Sequence, residues 1–443
     1  MRVIRLSVTG LFALFDHDIE LDPNRRLTII HSPNGYGKTT ILRLIDAVFN
    51  RNTAILRKTP FSGLEVGTAD GSSLLVKRLL KEDLTILQYT LTPRHGKSKT
   101  FTDTPLDPEF LRHFPVSLIE HEIPHLDRVG ARLWRDLRTG RMLDFADVVK
   151  TYPDEIPFPR SLREASSPPE WLAQYTESVP VRLIEAQRLL RFADEASFAR
   201  KQPRAPWSAT VEEYAQDLAS AIKSKLAESA ALSQALDRTF PQRLVQTTGR
   251  RLLTEDELLS RMDSIEMTRT HLIGAGLLDP QTEPAFQVRR GELTDHETSV
   301  LSLWVADVEN KLAIYSDLAH KIDLFKDIIN QHFLFKEMGI DREQGFVFRT
   351  AKNETIPVSS LSSGEQHELI LVYELLFKLQ KDALVLIDEP ELSLHVAWQL
   401  RFLKDLAAII QLAPFDALIA THSPQIINDR WDLTTRLEAP RLP

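Results

Sequence analysis

The chain has no cysteine in its 443 residues, which excludes disulfides and thiolate metal sites and fits the cytoplasmic location expected here. It has no apolar run of the roughly 18 residues that a membrane span needs, and its first residues show no signal-peptide pattern. A membrane role is therefore not expected. Positive charge is not in excess either. The net charge is −8, so contact with nucleic acid requires a local basic patch. What remains is a globular composition, 43% hydrophobic and 26% charged, long enough for two or three domains' worth of core.

Residues 1–50 read as strand, turn, strand, strand, helix. The apolar run 27–30 leads into His31-Ser32-Pro33-Asn34-Gly35-Tyr36-Gly37-Lys38-Thr39-Thr40, and Ile41, Leu42, Leu44, Ile45 and Val48 pattern a following helix. This is a phosphate-binding loop between strand and helix. Gly35 and Gly37 allow the backbone to wrap the phosphates, the helix N-terminus adds its dipole, Lys38 reaches the β/γ-phosphates, and Thr39 coordinates Mg²⁺. Ser32 stands where such loops carry their first glycine. Altered tightness is expected there, not loss of the site.

A second cluster lies 350 residues downstream. The apolar run 383–387 suits a buried parallel strand and ends in Asp388-Glu389. The first carboxylate is placed to hold Mg²⁺ and the second to orient and deprotonate a water. Upstream, Ser362-Ser363-Gly364-Glu365 opens a helix whose free N–H groups suit a phosphate. A further short strand, 418–420, ends in Thr421-His422, and a histidine there can hydrogen-bond a terminal phosphate.

The intervening chain is less specific. Strands are expected at Leu64/Val66 and Leu74/Val76 around an Asp70-Gly71 turn, and at 84–91. Lys77, Arg78, Lys81, Arg94, Lys97 and Lys99 nearby read as a solvated face, with a basic binding surface as the alternative. Arg128, Arg132, Arg135, Arg138 and Arg141 fall largely on one face if that stretch is helical. His121-Glu122-Ile123-Pro124-His125 has the letters of a zinc-protease motif, but Pro124 would cost about 3 kcal/mol inside the helix that motif needs. From 208 to 335 the pattern is helical. One long helix stops near Pro241, and a Thr254/Glu257 capping box opens a second. Leu301, Val305, Val308, Leu312, Tyr315, Ala319, Ile322 and Ile329 repeat at 4-3 spacing. A single helix over 298–335 would be about 57 Å long, so an antiparallel arm or short coiled coil is expected, with a compact bundle as the alternative.

Together these motifs resemble the ABC-type ATPase superfamily, in the branch of structural-maintenance-of-chromosomes (SMC) proteins, RecF and overcoming-lysogenization-defect nucleases. The resemblance covers roughly 1–60, 180–195 and 336–430. It implies an α/β fold: an ABC-type P-loop ATPase head, with a mixed sheet and a β-rich lobe, interrupted by a helical or coiled-coil insertion. The expected domains are 1–200, 201–335 and 336–443. By the same resemblance ATP is held by Asn34, Gly35, Gly37, Lys38, Thr39, Thr40, Gln187, Ser363, Gly364 and Glu365, and Mg²⁺ by Thr39, Asp388 and Gln187. Glu389, His422 and Lys38 are the catalytic set. In that family two heads sandwich ATP, so Ser363 would act on a nucleotide held by another copy, and a homodimer or higher oligomer is implied. The chain also resembles ATPase subunits of two-gene phage-defence systems, PARIS-like or Septu-like, in which a separate nuclease or toxin effector is the partner. A RecF/SMC-like DNA-binding repair ATPase is the alternative, and a nucleotide-bound scaffold that does not hydrolyse is a third.

Overall fold

The computed structural model describes residues 1–81, 84–104, 119, 122–130, 132–137, 142–145, 147–148, 152, 168–185, 206–246, 253–279, 293–392 and 394–437. The chain forms two compact units, Met1–Ala199 with Leu379–Pro443, and Arg200–Lys378. Elements are numbered in chain order.

In the first unit, β1 (Val3–Leu11), β2 (Phe15–Glu20), β4 (Gly63–Thr68), β5 (Ser73–Lys81), β6 (Leu84–Thr92) and β7 (Lys99–Asp103) form an antiparallel sheet ordered β2-β1-β4-β5-β6-β7. Alternation decides which face is buried. Leu64, Val66, Leu74, Val76, Leu87 and Tyr89 point into the core, while the residues between them face outward. The Asp70 carboxylate closes the β4–β5 turn by accepting from the Thr68 hydroxyl and from the Ser72 N–H and hydroxyl.

The second sheet is parallel and ordered β11-β15-β16-β3-β17, from β3 (Leu27–His31), β11 (Val181–Glu185), β15 (Leu384–Asp388), β16 (Asp416–Thr421) and β17 (Thr434–Arg436). Every residue of β15 and β16 is buried, as their unbroken apolar runs require of strands covered on both faces. Helix α1 (Lys38–Phe49) buries Ile41, Leu42, Leu44, Ile45 and Val48 in a core shared with both sheets. Helices α2 (Thr53–Lys58) and α3 (Glu170–Glu177) complete it, Tyr175 stacking on Phe49.

The arginine stretch differs from expectation. It forms a small antiparallel sheet, β8 (Leu126–Gly130), β9 (Leu133–Asp136) and β10 (Met142–Asp144), around a fully buried Trp134. Arg128 and Arg135 therefore lie on strands and Arg132 in the turn between them, while Arg138 and Arg141 lie outside the described residues. Gly130 and the aromatic Trp134 favour a hairpin over a helix. Pro124 sits in the turn before β8, so the zinc-motif helix does not form at that point.

The second unit contains α4 (Pro206–Gln246), α5 (Glu255–Gly274), α6 (Asp295–Ala313) and α7 (Ser316–His332). It also holds a three-stranded antiparallel sheet, β12 (Lys336–Asp341), β13 (Gly345–Thr350) and β14 (Thr355–Ile356), and α8 (Ser363–Tyr373), which runs into a π-helical turn at Glu374–Lys378. Contrary to expectation, α4 continues through Pro241. The Arg243 guanidinium donates to the Leu236 carbonyl in the turn before the proline and grips both oxygens of Asp307 on α6, at 2.6 and 2.7 Å. The apolar repeat over 301–329 is interrupted at Ile314 and Tyr315, between α6 and α7. Asp237–Lys311 and Arg243–Asp307 set α4 antiparallel to α6. Arg261–Glu309 and His271–Asp323 set α5 parallel to α6 and α7. The result is a cluster of helices, not a two-helix coiled coil. Leu258, Met262, Ile265, Val305 and Val308 form the seam between α5 and α6. Capping boxes at Thr254/Glu257, Thr294/Glu297 and Ser362/Glu365 start three of these helices. No helix among the described residues is long and apolar enough to cross a membrane.

Candidate functional site

The parallel sheet brings the sequence clusters of the first unit to one edge. Its register pairs Glu185 with Asp388, Asp388 with Ala420, and Thr421 with His31, so the C-terminal ends of four strands lie level. In open α/β sheets this is the edge where ligands bind.

The loop after β3 has Gly35 at φ +91° and Gly37 at φ +85°. At Gly37 a Cβ would also lie 2.6 Å from Leu11 Cδ2, so both conformation and space call for glycine. Ser32 is buried and is not among the residues with left-handed backbone, so a side chain at that position carries no backbone strain. Lys38 is 4% exposed, and its ammonium donates to the Ser32 and Pro33 carbonyls of the loop at 2.7 and 3.2 Å. Burial lowers its pKa, against the pull of Glu389, Glu391 and Asp388.

Thr39 Oγ1 donates to Asp388 Oδ1 at 3.1 Å, joining the loop to the strand end. Burial pushes the Asp388 carboxyl up to about 6. Thr39 pulls the other way, and the charges of Glu389 and Glu185 push it further up. Glu185, itself buried, is bonded by Arg43 of α1 at 2.6 Å. A hydroxyl and a carboxylate in contact, with surplus negative charge around them, fit a hard divalent cation. Glu389 follows with left-handed backbone, φ +45°, held by its N–H to the Ala420 carbonyl at 2.8 Å. Such strain in a non-glycine residue persists where surrounding structure enforces it, often at functional sites. Glu389 lines a cleft of about 280 Å³ with Phe12, Asn34, Gly35, Gly37, Lys38, Thr39 and Thr40.

His422 completes the edge. Its Nδ1 lies 3.1 Å from Glu391 Oε1 and 3.5 Å from Glu389 Oε1. The same Glu391 oxygen accepts from Thr421 Oγ1 at 2.7 Å and from the His422 N–H at 3.0 Å.

The other expected site residues lie elsewhere. Gln187 is outside the described residues. Ser363, Gly364 and Glu365 belong to the second unit, where Ser362 caps α8 and Ser363 is exposed at its first turn. No atom lies within 4 Å of a Cβ built on Gly364, so the backbone there is open to approach. The Glu365 carboxylate is engaged by the Ser362 N–H at 2.7 Å and Lys336 Nζ at 2.8 Å. Burial raises its pKa, but Lys336 and Ser362 outweigh that and hold it below the usual range.

Sequence reasoning gave no site role to Phe12, Glu391 or the Arg43–Glu185 pair. Phe12 sits at the β1–β2 turn with φ +54° and is 41% exposed. Its available signal was an apolar Leu11-Phe12-Ala13-Leu14 run where a hairpin turn is ordinarily polar.

A family profile described as "AAA domain, putative AbiEii toxin, Type IV TA system" matches residues 217–428, from within α4 to beyond His422. No curated protein sequence matches the chain. Similar solved structures include the SMC head domain from Thermotoga maritima, at 12% identity and TM-score 0.33, covering 98% of this chain and 94% of that one. An SMC head bound to the C-terminal winged-helix domain of ScpA has 10% identity and TM-score 0.35, over 96% and 91% of the two chains. An SMC head with coiled coil and joint derived from Pyrococcus yayanosii has 11% identity and TM-score 0.31, over 96% and 93%.

Proposed function

We propose that this chain is an ABC-type ATPase, converting ATP and water to ADP and phosphate between self-associated heads. The observation that carries the reading is the Thr39–Asp388 hydrogen bond, with Lys38 and Glu389 lining the same cleft. The loop around Asn34, Gly35, Gly37 and Thr40 would cradle the phosphates with backbone N–H groups. Thr39 and Asp388 would hold Mg²⁺, which when bound neutralises charge on the β- and γ-phosphate oxygens. Glu389 orients and deprotonates the attacking water, and Lys38 and His422 stabilise charge developing on the γ-phosphoryl group. Ser363, exposed at the start of α8, and the half-buried Gly364 beside it would face the nucleotide of a second copy.

We place this ATPase in an anti-phage defence system, as the sensor or scaffold that controls a separate nuclease effector. That placement follows the resemblance of the motifs to ATPase subunits of two-gene phage-defence systems. A DNA-binding repair ATPase is the second reading. It draws on Lys77, Lys81, Arg94, Lys97 and Lys99, all exposed along β5 to β7.

Hydrolysis by the purified chain, with and without duplex DNA, tests both readings. Glu389→Gln should keep ATP binding and lose turnover by roughly two orders of magnitude or more. Near-normal turnover in that variant would remove Glu389 as the base. Indifference to DNA is expected, and strong stimulation would favour the repair reading.

A further inference from the structure

Glu391 is not required by the chemistry assigned above, yet it is built into the site. Its side chain is only 6% exposed, and one oxygen, Oε1, takes three donors: the Thr421 hydroxyl, the His422 backbone N–H and the His422 ring at Nδ1. A buried carboxylate is costly unless well hydrogen-bonded. These three donors all come from the segment that carries His422 and converge on Oε1, while the buried Oε2 has no hydrogen-bond partner among the described residues.

A carboxylate has only acceptors, so the ring nitrogen it meets must carry the proton. We propose that Glu391 is a positioning residue that holds His422 with a proton on Nδ1 and leaves Nε2 as the nitrogen available to the terminal phosphate. This rests on the ATPase reading of the site and adds a constraint to it. A neutral ring protonated at Nδ1 presents a lone pair at Nε2 and cannot donate to a phosphate oxygen. Only the imidazolium can donate from both nitrogens. Glu391 therefore makes His422 act as a cation. Among the described groups, the Glu391 and Glu389 carboxylates lie 3.1 and 3.5 Å from the ring Nδ1.

Two measurements on the full chain test this. Side-chain ¹⁵N–¹H correlation spectra, with the His422 signals assigned by their loss in His422→Gln, report the tautomer directly. The expected neutral form is protonated at Nδ1 in the wild type and loses that preference in Glu391→Leu, which removes the acceptor. An Nε2-protonated ring in the wild type overturns the proposal. In the second measurement, Glu391→Leu should lower kcat by roughly 10- to 100-fold, the range found for partners that orient metal-binding histidines. KM for ATP should change little. Unchanged kcat also overturns it. If wild type and Glu389→Gln prove equally inactive, the hydrolytic reading of the site fails, while the tautomer still decides the role of Glu391.

Discussion

Asp388 carries the clearest energetic conflict in the site. Its pKa is raised by burial from 3.8 to about 6, with a hydrogen bond from Thr39 pulling the other way and two acidic neighbours nearby. A carboxyl whose folded-state pKa lies above its unfolded value favours folding when protonated. That contribution is fully present below the unfolded value and is lost as pH rises through about 6. At pH 7.5 without metal, Asp388→Asn should therefore stabilise the protein by roughly 1–2 kcal/mol, once screening by water in the cleft is included. The same change should abolish Mg²⁺-dependent nucleotide binding. Thermal melts with and without Mg²⁺-ATP check both, and a lower melting temperature for metal-free Asp388→Asn would contradict the account. Lys38, Thr39, Asp388, Glu389 and His422 were legible because each stands at a fixed offset from a strand or helix end. Glu391 and the Arg43–Glu185 pair were not, because their partners are brought to them only by the order of strands in the sheet.

Elements with local start signals were the ones the sequence stated best. The capping box of Thr254 and Glu257 opens α5 at Glu255, and that helix ends at Gly274 as its glycines suggested. The arginines between 128 and 141 misled because spacings of three and four do not by themselves distinguish a helix face from successive turns and strands. The cross-strand pairing of Asp127 with Arg135 depends on the hairpin at Gly130. Gly345, at the start of β13, shows how tightly the second unit is packed. It has φ +79°, and a Cβ there would lie 1.9 Å from the Ala215 carbonyl oxygen of α4. Gly345→Ala should destabilise that unit by roughly 2–4 kcal/mol, combining backbone strain with a backbone clash. Urea unfolding followed by helical circular dichroism measures it, and a loss below about 0.5 kcal/mol would mean the α4–β13 contact is looser than described.

For the whole molecule, the proposed chemistry needs two copies, since the Ser363–Gly364 helix start is to meet a nucleotide held by another chain's Lys38. Glu389→Gln with Mg²⁺-ATP should therefore double in mass or more by light scattering, and ADP should reverse the change. A Ser363→Arg change at the exposed helix start should prevent the assembly while leaving ATP bound to the single chain. Assembly that ignores nucleotide would separate the contact between copies from the site.

The strand order β11-β15-β16-β3-β17 also bears on how the protein is made. The strand that carries the phosphate loop, β3, is flanked by β16 and β17, which lie about 390 and 400 residues later. A nascent chain emerging from the ribosome presents residues 27–49 long before either neighbour exists. The second unit, by contrast, is one contiguous stretch of chain. The helical unit can thus form during synthesis, while the nucleotide-binding edge must wait for residues 416–436. Until then an apolar strand and its loop are without their sheet, and that interval is when this chain is most exposed to chaperones and most vulnerable to proteases.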